Sequence, residues 1–292
     1  MRRVAGSLEG RWLANGRIRW RPKTGRPEAI RKTGHQNSPR RGLRNGHFLK
    51  VMNPHSHAQR LSSITWAMSL GVLSLGCEVI RGSGHVVEEE RAVPRFDRIS
   101  IETEGYVLLH QANEERLVIE GEDNIVEHLR SEVRRGRLTL RTRRHVLLAP
   151  TEPIVYHIFV SDLHELEVSG SASVFSQTLE SSHLTLNVRG SEAAVFDDVR
   201  IRDIAVNIDG SGGVELSGRA QTFAVNIAGA GHVQGFGLET EWCDVDISGS
   251  GRAQVYVTDQ LSVQIAGSGG VRYRGNPVVE SHIRGSGHLH AE

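Results

Sequence analysis

At 292 residues the chain can bury a core as one large domain or two modest ones, and its two cysteines exclude a disulfide framework. With 32 glycines against 5% aromatic residues, that core must come from Val, Ile and Leu packed around many backbone turns. The net charge of +1 is uneven: residues 1–50 carry fourteen Arg or Lys against Glu9 and Glu28, and the rest carries 21 basic and 32 acidic residues.

Residues 1–51 have little hydrophobic periodicity and many Gly, Arg and Pro, so they are expected to be disordered or to precede the true start of translation at Met52. A basic arm for nucleic acid would carry interleaved aromatics and would not sit upstream of an export signal, so no nucleic-acid partner is expected. From Met52 the sequence reads as a signal peptide, with His55, His57 and Arg60 followed by an apolar run over 61–76. The run is short for a spanning helix and ends in small residues and a cysteine. Leu73-Ser74-Leu75-Gly76-Cys77 resembles a bacterial lipobox with Ser74 and Leu75 exchanged. Cys77 is therefore the expected lipid attachment, with ordinary cleavage and a retained anchor as alternatives, and the expected location is the bacterial cell envelope, facing the periplasm or the exterior. Residues 78–90 read as a tether.

Residues 91–160 are β-rich but irregular, with strands expected around residues 96–101, 106–111, 117–121 and 138–142 and one short helix over 124–132. This region is read as a cap that seals one end of a repetitive stack over 161–292. In that stretch, glycines at 170, 190, 210, 229, 249, 267 and 285 are each followed by a small residue and often a second glycine. Two residues before them stand Val168, Val188, Ile208, Ile227, Ile247, Ile265 and Ile283. Four before are Leu166, Leu186, Val206, Val225, Val245, Val263 and, as the exception, Ser281. Six before are His164, Leu184, Ile204, Phe223, Cys243, Leu261 and Val279. Alternation of period two means strands with one buried face, and glycine suits the corners because it takes positive φ cheaply.

One such unit cannot bury its own apolar stripe, so it must stack on a copy of itself at about 4.8 Å per coil. The fold class expected over 161–292 is all-β, a parallel β-helix or β-solenoid of 18–20-residue coils, with an antiparallel sandwich as runner-up. Cys243 falls in an inward column and reads as a buried structural thiol.

The landmarks Arg91-Ala92-Val93-Pro94-Arg95-Phe96-Asp97-Arg98-Ile99, Glu120-Gly121-Glu122-Asp123-Asn124, Gly136-Arg137-Leu138-Thr139-Leu140, Thr151-Glu152-Pro153-Ile154 and the Gly-Ser-Gly series appear in order. Together they resemble the autotransporter-adhesin head, or GIN, domain family over about residues 85–290. Gly-Ser-Ala at 170 and Gly-Ser-Glu at 190 depart from the cleaner triplet. The resemblance implies a right-handed β-helical domain at the cell envelope and an adhesin-like role.

No catalytic constellation emerges, and an enzyme is not expected. The Gly-Ser-Gly triplets lack the Lys and following helix of a phosphate loop, since no Lys comes after Lys50. A calcium repeat would need an acid where Val214, Val233, Ala253, Val271 and Leu289 stand. His282, His288 and His290 could come together near the end, but no cysteine or paired acid completes a ligand set, so no metal or other cofactor is expected. The outward positions of successive strands offer Asn187, Asn207, Asn226 and Asp246 as a polar ladder, the candidate binding face for an envelope protein or glycan. The alternatives are a carbohydrate-active enzyme of the β-helical kind, with Asp244, Asp246, Asp209 and Glu192 as its nearest acids, and a sensory ectodomain of an envelope-stress system.

Overall fold

The structure is a computed structural model that describes residues 8–12, 18–22 and 78–292. The expected signal peptide, Cys77 and most of the basic extension lie outside the described residues. The chain divides into two units, Met1–Ser69 and Leu70–Glu292. In the first, β1 (Leu8–Trp12) and β2 (Ile18–Pro22) pair antiparallel, from Leu8 opposite Pro22 to Trp12 opposite Ile18.

The second unit opens with two strands. β3 (Glu78–Arg81) runs parallel to β10 (Val146–Ala149), and β4 (Val86–Arg91) runs antiparallel to β7 (Arg116–Glu122). The segment read as a tether is thus strand along most of its length. Its composition is polar, but the fold supplies partner edges that local sequence does not announce. Between its two strands, the Gly84 N–H donates to the Glu122 carboxylate at 2.6 Å.

The rest of the irregular region comprises β5 (Arg98–Glu102), β6 (Glu104–Gln111), β8 (Leu129–Arg134), β9 (Arg137–Thr142) and β11 (Val155–Val160), and the repetitive stretch opens with β12 (Glu165–Val168). The helix expected over 124–132 is cut to one turn, α1 (Asp123–Val126). The apolar spacing that suggested a longer helix, Ile125, Val126 and Leu129, is buried as expected. The chain leaves the helix early because β8 gains an antiparallel ladder with β9.

Five long strands come next: β13 (Ser171–Gly190), β14 (Ala193–Gly210), β15 (Gly213–Gly229), β16 (His232–Gly249) and β17 (Arg252–Gly267). Each bends through one coil and ends on a corner glycine. The next coil is split into β18 (Gly270–Arg274) and β19 (Val278–Gly285), and β20 (His288–Ala291) pairs in parallel with β18 as the start of a further coil. Every coil pairs in parallel with the next, and identical offsets fall opposite one another: Val188, Ile208, Ile227, Ile247, Ile265 and Ile283 are successive partners. The fold is therefore a parallel β-solenoid of about six turns, and the sandwich alternative falls because the described coils pair with one another in parallel throughout.

The corners explain the glycines. Gly249 has φ +128°, and a Cβ there would come within 2.4 Å of the Gly229 carbonyl oxygen in the coil before. Two residues on, a Cβ at Gly251 would lie 2.6 Å from Ile227 Cγ2 in the core. Each corner is closed by a backbone bond such as Ser250 N–H to the Gly229 carbonyl at 2.8 Å.

The aliphatic columns point inward and form one continuous core with the cap, in which Ile99, Leu138, Leu166 and Leu186 are buried. His164 and the column residues of β19 depart from the pattern. His164, expected inward, is partly exposed; Leu163 takes the buried place, and His164 instead stacks on His183 at 4.1 Å and meets Asp162 at 2.9 Å. β19 continues the columns, but among the described residues it pairs only with β17, so Val279 is 36% and Ile283 39% exposed. Among the described residues no helix is long and apolar enough to cross a membrane.

Candidate functional site

The face opposite the aliphatic columns carries the ladder. Because parallel in-register pairing repeats each offset, Asn187 on β13, Asn207 on β14, Asn226 on β15 and Asp246 on β16 stand side by side. They line a shallow groove of about 360 Å³, bounded on one flank by Arg189 and Asp209. The same row extends beyond the four residues to Gln264 and His282.

The amides are linked in one direction. Asn226 Nδ2 donates to Asn207 Oδ1 at 3.0 Å, Asn207 Nδ2 donates to Asn187 Oδ1 at 2.9 Å, and Asn187 Nδ2 reaches Glu165 Oε1 at 3.5 Å. The end nearest the cap is closed by charge: Arg137 holds Glu165 at 2.7 Å and Glu167 at 3.4 Å, and Arg189 also pairs with Glu167. The other end differs in kind. An ionised Asp246 can only accept, so it cannot continue the series by donating to Asn226 Oδ1. Amide oxygen and carboxylate face one another as two acceptors on adjacent exposed rungs. That pair is suited to a hydroxyl, ammonium or amide group that donates to both.

The remaining candidates fall elsewhere. Asp244 lies two residues before Asp246 on the same exposed side of β16, and both project from the solenoid into solvent instead of facing an acid across a cleft. His282 lies on β19, and His288 and His290 lie on β20; among the described residues no group of three or more His, Cys, Asp or Glu side chains could hold a metal. Cys243 is buried in its column; burial and the adjacent Asp244 charge push its thiol pKa up, which makes it a poor nucleophile.

Sequence reasoning missed three surface features. On the cap, His110 stacks on Phe159 at 4.8 Å and His157 stacks on His110 at 5.8 Å, with the Arg116 guanidinium 4.1 Å above the Phe159 ring. Burial, then the neighbouring His157 and Arg116 charges, lower the His110 pKa. The signal was present: outward positions 106, 108, 110, 155, 157 and 159 are apolar or aromatic where polar residues belong. On another face of the solenoid a charged groove of about 540 Å³ is lined by Arg200, Arg202, Arg219, Glu239 and Glu241. The third feature is an apolar pair, Val79 and Leu147, on the outer side of the β3–β10 ribbon.

Fold and face together define a β-solenoid that presents a polar surface. The family described as "Putative auto-transporter adhesin, head GIN domain" matches residues 95–277, and the chain belongs to it. Solved structures share the fold. A putative adhesin from Bacteroides fragilis is 22% identical, covering 73% of this chain and 100% of its own, with a TM-score of 0.70. A putative lipid binding protein from Parabacteroides distasonis is 22% identical over 74% of this chain and 100% of its own, with a TM-score of 0.64. A putative adhesin from Parabacteroides merdae is 20% identical over 74% and 99%, with a TM-score of 0.61. No curated protein matches the chain.

Proposed function

We propose that this is an exported, adhesin-like binding module of the bacterial cell envelope, held to a membrane through Cys77 and presenting the Asn187–Asn207–Asn226–Asp246 ladder to an envelope glycan or protein. Membership of an adhesin-head family supports the role, and the lipobox-like sequence before Cys77 supports the anchor. The observation that carries the ladder as the binding face is its polarity. Three amides satisfy one another up to Asn226, and the series then ends on acceptors at Asp246. A ligand rich in donors, as a polyhydroxylated glycan is, completes what the protein leaves open.

The test measures retention of envelope-derived oligosaccharides on the immobilised protein and on Asp246→Asn. The substitution supplies a donor to Asn226 Oδ1 from within the ladder and removes the charge, so retention should fall on the order of tenfold or more. Unchanged retention in Asp246→Asn and in Asn226→Ala removes the ladder from consideration. Release of reducing ends that stops in Asp246→Asn would instead establish the glycan-cleaving alternative. Mass spectrometry of the mature N-terminus tests the anchor: an acylated Cys77 supports it, and a protein retaining residues 1–76 refutes it.

A further inference from the structure

The β3–β10 ribbon is unusual in how it disposes its apolar side chains. Parallel register places Val79 beside Leu147 and Ile80 beside Leu148. Ile80 and Leu148 pack against the core, whereas Val79 is 63% and Leu147 55% exposed. An adjacent pair of aliphatics turned to solvent on a pinned ribbon offers apolar area that the domain does not use itself.

The charge of the segments that carry that pair is the reverse of the domain's. Residues 78–292 hold 20 Arg against 32 acids, yet the run from the end of β9 through the turn into β10, Arg141-Thr142-Arg143-Arg144-His145, contains no acid, and Glu78 is the one acid on either strand of the ribbon. His145 lies against β3, with its carbonyl accepting from the Glu78 N–H at 2.9 Å. Arg143, Arg144 and, on β3, Arg81 are exposed and have no carboxylate partner among the described residues. In an acidic domain, unpaired arginines beside exposed aliphatics are the combination that an anionic bilayer surface attracts. The sequence adds a positional argument: β3 starts at the residue after Cys77. With that segment pinned to β10, a chain acylated at Cys77 would hold this ribbon within a few residues of the lipid headgroups.

We propose that the outer side of the β3–β10 ribbon is the surface on which the domain rests against a bilayer containing anionic phospholipid, with Val79 and Leu147 at the headgroup boundary and Arg81, Arg143 and Arg144 on the phosphates. The orientation rests on the proposed Cys77 anchor, while the surface itself is defined by the described residues. None of the residues that line the ladder groove belongs to the ribbon.

The experiment uses protein purified from the envelope, after mass spectrometry has established whether Cys77 is acylated; a free Cys77 is replaced by Ser. Leu147→Cys is labelled with an environment-sensitive dye, and Gln260→Cys, exposed on the solenoid, is the control; buried Cys243 does not compete for the label. Vesicles of phosphatidylglycerol and phosphatidylethanolamine are compared with vesicles of phosphatidylcholine. The expected result is a blue shift at position 147, absent at 260, that requires the anionic lipid, weakens with added salt and is lost in Arg143→Glu/Arg144→Glu. Each arginine near an anionic leaflet raises partitioning about fivefold, so the double reversal should lower it on the order of 25-fold or more. An acylated protein in anionic vesicles with no shift at 147, or with an equal shift in phosphatidylcholine, overturns the surface and leaves the anchor standing. An unacylated protein that still shifts at 147 keeps the surface and removes the anchor.

Discussion

Asn207 is bonded on both sides within one column: its amide nitrogen donates to Asn187 Oδ1 at 2.9 Å and its oxygen accepts from Asn226 Nδ2 at 3.0 Å. Asn207→Ala removes both bonds and leaves a donor on Asn226 and an acceptor on Asn187 unmatched. The half-buried position makes that cost about 1–3 kcal/mol. Asn207→Asp keeps the acceptor but sets a carboxylate against Asn187 Oδ1, so it should destabilise more at neutral pH than at pH 3. Urea unfolding at both pH values checks this, and equal losses at both would remove the acceptor–acceptor argument.

The ladder was legible from sequence because the same alternation that buries Leu186, Val206, Val225 and Val245 turns the next residue of each strand outward. Its directionality was not, because amide orientation depends on what closes each end, and Glu165 with Arg137 belong to a different part of the chain. Pattern also fixes a face without saying whether a neighbour covers it. Ile283 fits its column as well as Ile265 does, yet Ile265 is buried under the last coil and Ile283 is not. His164 failed for the converse reason: the loop before β12 carries it one place out of step, and Leu163 fills the core. The β3–β10 pairing joins segments about 68 residues apart, and neither Glu-Val-Ile-Arg nor Val-Leu-Leu-Ala carries a local mark of its partner.

Two corner glycines separate backbone strain from steric overlap. Gly190 has φ +122° but no atom within 4 Å of a Cβ, whereas Gly249 has φ +128° and would meet the Gly229 carbonyl oxygen at 2.4 Å. Gly190→Ala should therefore cost about 1–2 kcal/mol from the backbone alone, and Gly249→Ala about 3 kcal/mol or more because two coils must move apart. Denaturant unfolding of the two variants checks the order. Equal losses would mean that the close approach between coils contributes nothing.

Cys243 shares its column with the buried Leu184, Ile204, Phe223 and Leu261. With its thiol pKa pushed up by burial and by Asp244, it should resist a thiol-specific reagent at pH 8 until the solenoid opens, and the rate should then track the unfolded fraction in urea. Cys243→Ala should destabilise by about 1–2 kcal/mol through lost packing. Rapid labelling in native buffer would contradict its place in the core.

Glu122 ties the first described strands of the second unit to the rest of the domain, and that tie should be sensitive to acid. Its side chain is inaccessible to solvent and accepts from the Gly84 N–H at 2.6 Å, from the Thr151 N–H at 2.8 Å and from the Thr151 hydroxyl. Burial pushes its pKa up, but the Thr151 side-chain and backbone donors, with Gly84 and Glu152, outweigh that and leave it below the ordinary value. A carboxyl whose folded pKa lies below its unfolded value of about 4.3 contributes stability that is fully present above that value and is lost as pH falls through the folded pKa. The melting temperature of the natural protein should therefore drop more steeply below about pH 4 than that of Glu122→Gln. The variant is less stable at neutral pH, since its amide sets a donor against these donors, and the two curves should converge in acid. Hydrogen exchange should place the neutral-pH loss in residues 78–91 and 146–152, and parallel melting curves across the acid range would mean that the carboxylate is not what holds this segment.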